Sequence, residues 1–169
     1  PTGLASDGEV EDYQVKYDPT AAVITAVRIE RISVEHYLSA HEPAEVTALL
    51  AAYGMENEGQ SGGTDLRAIE QLRERLDPDN DGSFAMLSWS TLDEQGTVGF
   101  FVDRVEIGRH DWVRINDVLL PGMVDAPLGG EYLYADPDAR TGVDYDYRLI
   151  EQEAWGGKRE YCPFRLRYE

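Results

Sequence analysis

The sequence predicts an all-β, antiparallel sandwich with a two-helix insertion between its first and second strands. Three observations carry this expectation. Along most of the chain, short runs alternate apolar and polar residues with a period of two. Turns rich in Gly, Pro and Asp separate these runs. Only between Ser39 and Gly82 does the apolar spacing change to that of helices.

Taken in order, Tyr13, Val15 and Tyr17 alternate with Gln14 and Lys16, a strand that Asp18-Pro19 ends. Val23 to Val34 is β-rich. Its phase slips between Ile29 and Ile32, which reads as a bulge or bend. Glu42-Pro43 starts a helix whose stripe is Val46, Leu49, Leu50 and Tyr53, with Gly54 at its end. Met55 to Gly63 is a polar loop. Thr64 then caps a second helix with the stripe Leu66, Ile69, Leu72 and Leu76.

Beyond Gly82 every run has strand periodicity. Ala85, Leu87 and Trp89 share one face, and Val98, Phe100 and Val102 share another. Trp112 to Ile115 and Tyr132 to Tyr134 are shorter strands between turns at Pro121-Gly122 and Gly129-Gly130. Tyr145, Tyr147 and Leu149 alternate with Asp144, Asp146 and Arg148. After Gly156-Gly157, Phe164, Leu166 and Tyr168 alternate with Arg165 and Arg167. Pairing these last two strands brings Asp144 and Asp146 towards Arg165 and Arg167, at ~0.2–1 kcal/mol per pair.

A chain of 169 residues fits one domain, or one domain and a fragment of another. Fifteen Lys+Arg against 33 Asp+Glu give a net charge of −18. Nucleic acids and anionic membranes need a cationic surface, so both are excluded as expected partners. Divalent cations or a saline exterior suit this surface better. Hydrophobic content of 42% marks a folded chain and not an acidic disordered tail. No run approaches the ~20 apolar residues of a membrane span, so no membrane insertion is expected. Cys162 is the single cysteine, which excludes an internal disulfide or a multi-cysteine zinc site; a buried, inert thiol is the expectation. The missing initiator Met reads as a mature or excised piece of a longer precursor.

Two stretches resemble known families. Asp7-Gly8-Glu9-Val10-Glu11-Asp12-Tyr13-Gln14-Val15 resembles the signature that closes the GEVED domain of bacterial secreted and surface proteins. Residues 1–20 are then the terminal strand and linker of such a domain. Leu87-Ser88-Trp89-Ser90 resembles strand B of a fibronectin type III-like domain, whose Trp sits in the core. Thr141-Gly142-Val143-Asp144-Tyr145-Asp146-Tyr147-Arg148-Leu149 resembles its strand F, with the tyrosine that anchors the corner. Val98-Gly99-Phe100 and Trp112-Val113-Arg114-Ile115-Asn116 resemble the strands between. The resemblance implies a fibronectin type III-like (immunoglobulin-like) sandwich over residues 21–169, with a helical insertion at 39–82 that such domains usually lack. It also implies a secreted or cell-surface scaffold module, without implying a reaction.

Among candidate sites the sharpest is Asp77-Pro78-Asp79-Asn80-Asp81-Gly82-Ser83. Asp at positions 1, 3 and 5 followed by Gly is how an EF-hand-type loop wraps oxygens around calcium. Position 12, which should be a bidentate Glu, is Ser88, so a full cage needs a carboxylate from elsewhere. The plainer reading of Asp77, Asp79 and Asp81 is a solvated acidic turn. His41-Glu42-Pro43-Ala44-Glu45 is one residue from a zincin helix but reads better as a helix start with acidic residues at its positive end. The cluster Asp7, Glu9, Glu11 and Asp12 reads as a solvated edge. His36 and His110 lack a partner motif and are placed at strand ends.

Tyr132, Tyr134, Tyr145 and Tyr147, with Trp112 and Trp155, offer a sugar-stacking platform or, more plainly, core and corner residues. No nucleophile elbow, phosphate loop or dinucleotide fingerprint is present. The expected function is a non-catalytic extracellular module for structure or adhesion, contacting neighbouring domains, other surface proteins or polysaccharide. The alternatives are a calcium- or carbohydrate-binding module and an accessory domain of a secreted hydrolase.

Overall fold

The computed structural model describes residues 22–41, 66–122 and 129–167. In order these form β1 (Ile24–Ser33), α1 (Val34–Ala40), α2 (Leu66–Leu76), β2 (Ser83–Thr91) and β3 (Thr97–Glu106). Two short strands follow, β4 (Val113–Arg114) and β5 (Leu120–Pro121), then β6 (Glu131–Asp136), β7 (Tyr145–Glu153) and β8 (Lys158–Leu166). All strand pairs are antiparallel. One sheet has the order β1-β2-β6 and the other β4-β3-β7-β8, with β5 also on β3.

The inner faces of the two sheets meet in the main core. Ala85, Leu87 and Trp89 of β2 pack with Phe100 and Val102 of β3, Tyr147 and Leu149 of β7, and Leu166 of β8. Trp89 lies flat on Tyr132, with centroids 5.0 Å apart, and edge-on to Phe100 at 5.8 Å. Such pairs add ~0.5–1.5 kcal/mol each to their burial. The expected all-β sandwich with alternating core positions is therefore present.

Several elements depart from the sequence reading. The chain turns helical at Val34, not near Ser39: the Ser33 Oγ accepts a bond from His36 N at 3.4 Å and caps α1. His36 is thus a helix residue rather than a strand-end one. The phase slip between Ile29 and Ile32 is not a bulge, because the β1–β2 register runs unbroken from Ala26 to Ser33. Instead Ile32 faces away from the main core. It joins Phe84, Met86 and Ala135 on the outer face of the three-stranded sheet, where Val34, Tyr37, Leu72 and Leu76 of the helices cover them. Both faces of β2 are buried there, so Phe84-Ala85-Met86-Leu87 is apolar without alternation.

Val98 is exposed, since the register shift between Thr97 and Gly99 turns it outward. Gly99 is required by close approach: a Cβ there would lie 2.1 Å from the Leu120 carbonyl oxygen. Of the expected Trp112–Ile115 strand, Val113 and Arg114 pair with β3, and Ile115 N adds a bond to Val102 O at 2.9 Å. The β7–β8 pairing is as expected, with Asp146 opposite Arg165 and bonded to it at 2.7 and 2.9 Å. The strand Tyr13–Tyr17, the helix from Glu42, the Met55–Gly63 loop, the Thr64 cap and Tyr168 lie outside the described residues, as does the Cys162 side chain. No helix among the described residues is long and apolar enough to cross a membrane.

Candidate cation site

The second helix delivers the chain to the acidic loop. Asp77 N still bonds to Arg73 O at 3.0 Å, extending the helical pattern by one residue. The Asp77 carboxylate then folds the loop over itself, accepting from Asp81 N at 2.7 Å and Gly82 N at 2.9 Å. Asn80 and Gly82 take positive φ of 58° and 83°, the left-handed region that Asn and Gly tolerate best. Ser83, the next residue, opens β2.

The loop brings Asp77, Asp79 and Asp81 together, with one carboxylate oxygen of each within 4.8 Å of the others. Two unit charges ~4 Å apart in water repel by ~1 kcal/mol, so a divalent cation here would relieve repulsion as well as gain oxygen ligands. Asp81 is also a structural tie. Its Oδ1 accepts from Ser83 N, and its Oδ2 accepts from Thr141 N at 2.7 Å, which joins the loop to the β6–β7 connection. Burial pushes the Asp81 carboxyl up, but the bonds from Thr141 and Ser83 outweigh it and hold the group below its ordinary value. Ser88, at position 12 of the loop, lies well inside β2 between Arg28 and Leu133. The strand carries it away from the turn.

His41 follows the end of α1 rather than starting a helix; its ring stacks on Tyr37 at 3.9 Å and its Nδ1 lies 2.8 Å from Tyr37 O. Glu42, Glu45 and the cluster Asp7, Glu9, Glu11 and Asp12 lie outside the described residues. The aromatic platform is not assembled. Tyr145 and Tyr147 are buried, Tyr132 stacks in the core, Tyr134 donates its hydroxyl to Ile115 O, and Trp112 receives the Arg148 guanidinium at 4.6 Å. Trp155 alone of the six stays 75% exposed, at the β7–β8 turn.

Sequence reasoning missed the buried charges. Asp136, 1% exposed, accepts from Arg104 Nη1 at 2.6 and 2.7 Å and from the Tyr147 hydroxyl at 2.9 Å. Burial raises the Asp136 pKa while Arg104 and Tyr147 oppose it; Arg104, despite its own burial, is held in its charged form by Asp136. Asp103 is bound by Arg114 at 3.0 Å and Arg148 at 2.9 Å, and Arg148 reaches on to Glu160 at 3.2 Å. Glu151 is fully buried among Ala22 N, the Thr97 hydroxyl and the Tyr161 hydroxyl. Their signal is in the phase: Arg104 continues Phe100 and Val102, and Glu151 continues Tyr147 and Leu149. A charge at an inward position needs a buried partner.

No family model matches the chain, and no curated protein matches it.

Proposed function

We propose that this chain is a non-catalytic, fibronectin type III-like module of a bacterial surface or secreted protein, serving as a spacer, scaffold or adhesion element. The division of the strands carries the reading. With β2 as strand B and β7 as strand F, the first, second and sixth strands share one sheet, and the third, seventh and eighth share the other. With β4 and β5 set aside, this grouping supports the immunoglobulin-like reading, in which strands A, B and E face C, F and G. Two details support it: Trp89 of β2 is in the core, and the Tyr145 hydroxyl accepts from Arg140 N at 3.3 Å, as a tyrosine corner does. The acidic surface and the likeness of residues 7–15 to a GEVED signature favour an extracellular setting. The experiment is a turnover screen of the folded chain against peptide, glycoside, ester and phosphate substrates. No turnover above that of the heat-unfolded chain is expected, and turnover abolished by one substitution would overturn the reading.

A second reading has its own observation, the convergence of Asp77, Asp79 and Asp81. On this reading the module binds calcium where α2 meets β2, and the helical segment is its functional addition. Calorimetric titration of the full chain with calcium tests it: saturable heat that is absent with Asp79→Ala supports it, and heat that sodium reproduces excludes it.

A further inference from the structure

Ala22 lies just ahead of β1, and both main-chain groups of that residue are held by side chains of the opposite sheet. Ala22 N donates to Glu151 Oε1 of β7 at 3.0 Å. The Tyr161 hydroxyl of β8 lies 2.7 Å from Ala22 O and 2.6 Å from Glu151 Oε2, so its one proton serves either acceptor. The Thr97 hydroxyl completes the cluster by donating to Glu151 Oε1 at 2.6 Å. Val23 is tied to the β2–β3 connection instead, by Val23 N to Asp93 O and Leu92 N to Val23 O. Two successive residues therefore fasten the start of β1 to both sheets.

The topology gives these bonds a mechanical meaning. Ala22 sits at the end of the sandwich that carries the β2–β3 connection and the β7–β8 turn, where Ala154 N bonds to Gly96 O. The end of β8, where Leu166 pairs with Tyr145, is at the opposite end. Ile24 and Val27 of β1 line one cleft with Tyr161 and Phe164 of β8, so the two strands lie side by side. Tension applied at Ala22 and at the end of β8 then slides β1 along β8. Without side-chain ties, that tension would pass through the β1–β2 ladder and across the core before reaching β8.

We infer that Glu151 and Tyr161 form a clamp that passes tension arriving at Ala22 directly to β8, which makes the sandwich resist pulling between Ala22 and the end of β8. The inference rests on the scaffold reading above. Its test is constant-force unfolding of the full chain held between two handle proteins. Tyr161→Phe keeps the ring and removes the tie, and Tyr134→Phe removes a different hydroxyl bond, to Ile115 O. Each unfolding rate under load is divided by the rate of the same variant without load. Tyr161→Phe is expected to raise that ratio about tenfold, the upper scale of one neutral buried hydrogen bond, and Tyr134→Phe to leave it near wild type. Glu151→Gln, which still offers Ala22 N an acceptor and Tyr161 a donor, is expected to keep the wild-type ratio. Equal ratios for the two tyrosine variants, with a wild-type chain that resists load, overturn the clamp alone. A wild-type chain that unfolds at once at the lowest load applied overturns both the clamp and the scaffold reading.

Discussion

Asp136 of the three-stranded sheet and Arg104 of the five-stranded sheet are bonded through Arg104 Nη1 at 2.6 and 2.7 Å, a charged tie across the two layers. With Asp136 nearly inaccessible, removing one partner leaves the other buried and uncompensated. Asp136→Ala is expected to cost about 3–5 kcal/mol in urea unfolding. The double variant Asp136→Ala/Arg104→Met should recover part of that loss. A single substitution costing under about 1 kcal/mol would show that water reaches the pair.

Trp89 is the centre of the inter-sheet aromatic cluster, stacked on Tyr132 and edge-on to Phe100. Trp89→Ala is expected to cost about 3–5 kcal/mol, from lost burial and the cavity it leaves. The denaturant midpoint should fall with no change in slope. Tyr145→Phe removes only the hydroxyl that Arg140 N donates to, and about 0.5–1.5 kcal/mol is expected.

The glycines divide by the reason they are there. At Gly99 a side chain would meet Leu120 O at 2.1 Å, a backbone atom that moves only if β5 leaves β3. Gly99→Ala is expected to cost about 1–3 kcal/mol. Gly142 has open space around it, and its φ of 81° is the sole constraint. Gly142→Ala should cost about 1 kcal/mol. Urea midpoints of the two variants check the order, which reverses if β5 is loosely attached.

Asp81 sets a pH dependence. Its folded pKa is held below its ordinary value of 3.8, so the stability it adds is complete above that value and is lost as pH falls through the folded pKa. The gap in urea midpoint between wild type and Asp81→Asn should be constant from neutral pH down to about pH 5 and close below it. A gap that persists undiminished to pH 3 would mean the Thr141 and Ser83 bonds do not depend on the carboxylate charge.

If the acidic loop takes calcium, ligand at ~100-fold over its dissociation constant adds ~2.7 kcal/mol to stability. Thermal unfolding in calcium and in chelator, at matched ionic strength, should then differ by several degrees in wild type. The difference should vanish in Asp79→Ala/Asp81→Ala. Equal curves for wild type would reduce Asp77 to Gly82 to a turn that ends α2.

Where one face of a strand is buried and the other is wet, the pattern was readable, as in β7 and β8. It misled where a third layer sits on the sheet. Ile32 looks out of phase only because α1 and α2 cover the outer face, and the unbroken run Phe84 to Leu87 is the trace of that covering. The first helix has a weak signature in the sequence because seven residues give barely two turns of periodicity, and Val34 directly continues a β-rich run. Val98 followed the alternation until a register shift turned it outward. At the candidate site the three aspartates were legible from spacing alone. The tie from Asp81 to Thr141 was not, since 60 residues separate them. The inward charges Arg104 and Glu151 are visible in phase, but their partners come from strands and connections 10 to 129 residues away in sequence.

Whether β2 and β7 stand at the centres of the two sheets is tested most directly by amide and Hα nuclear Overhauser contacts in the full chain. Cross-strand contacts between Leu87 and Tyr134, and between Val102 and Leu149, are the predicted result. Contacts from the Leu133–Tyr134 backbone to β3 in place of β2 would contradict the sandwich and the scaffold function built on it.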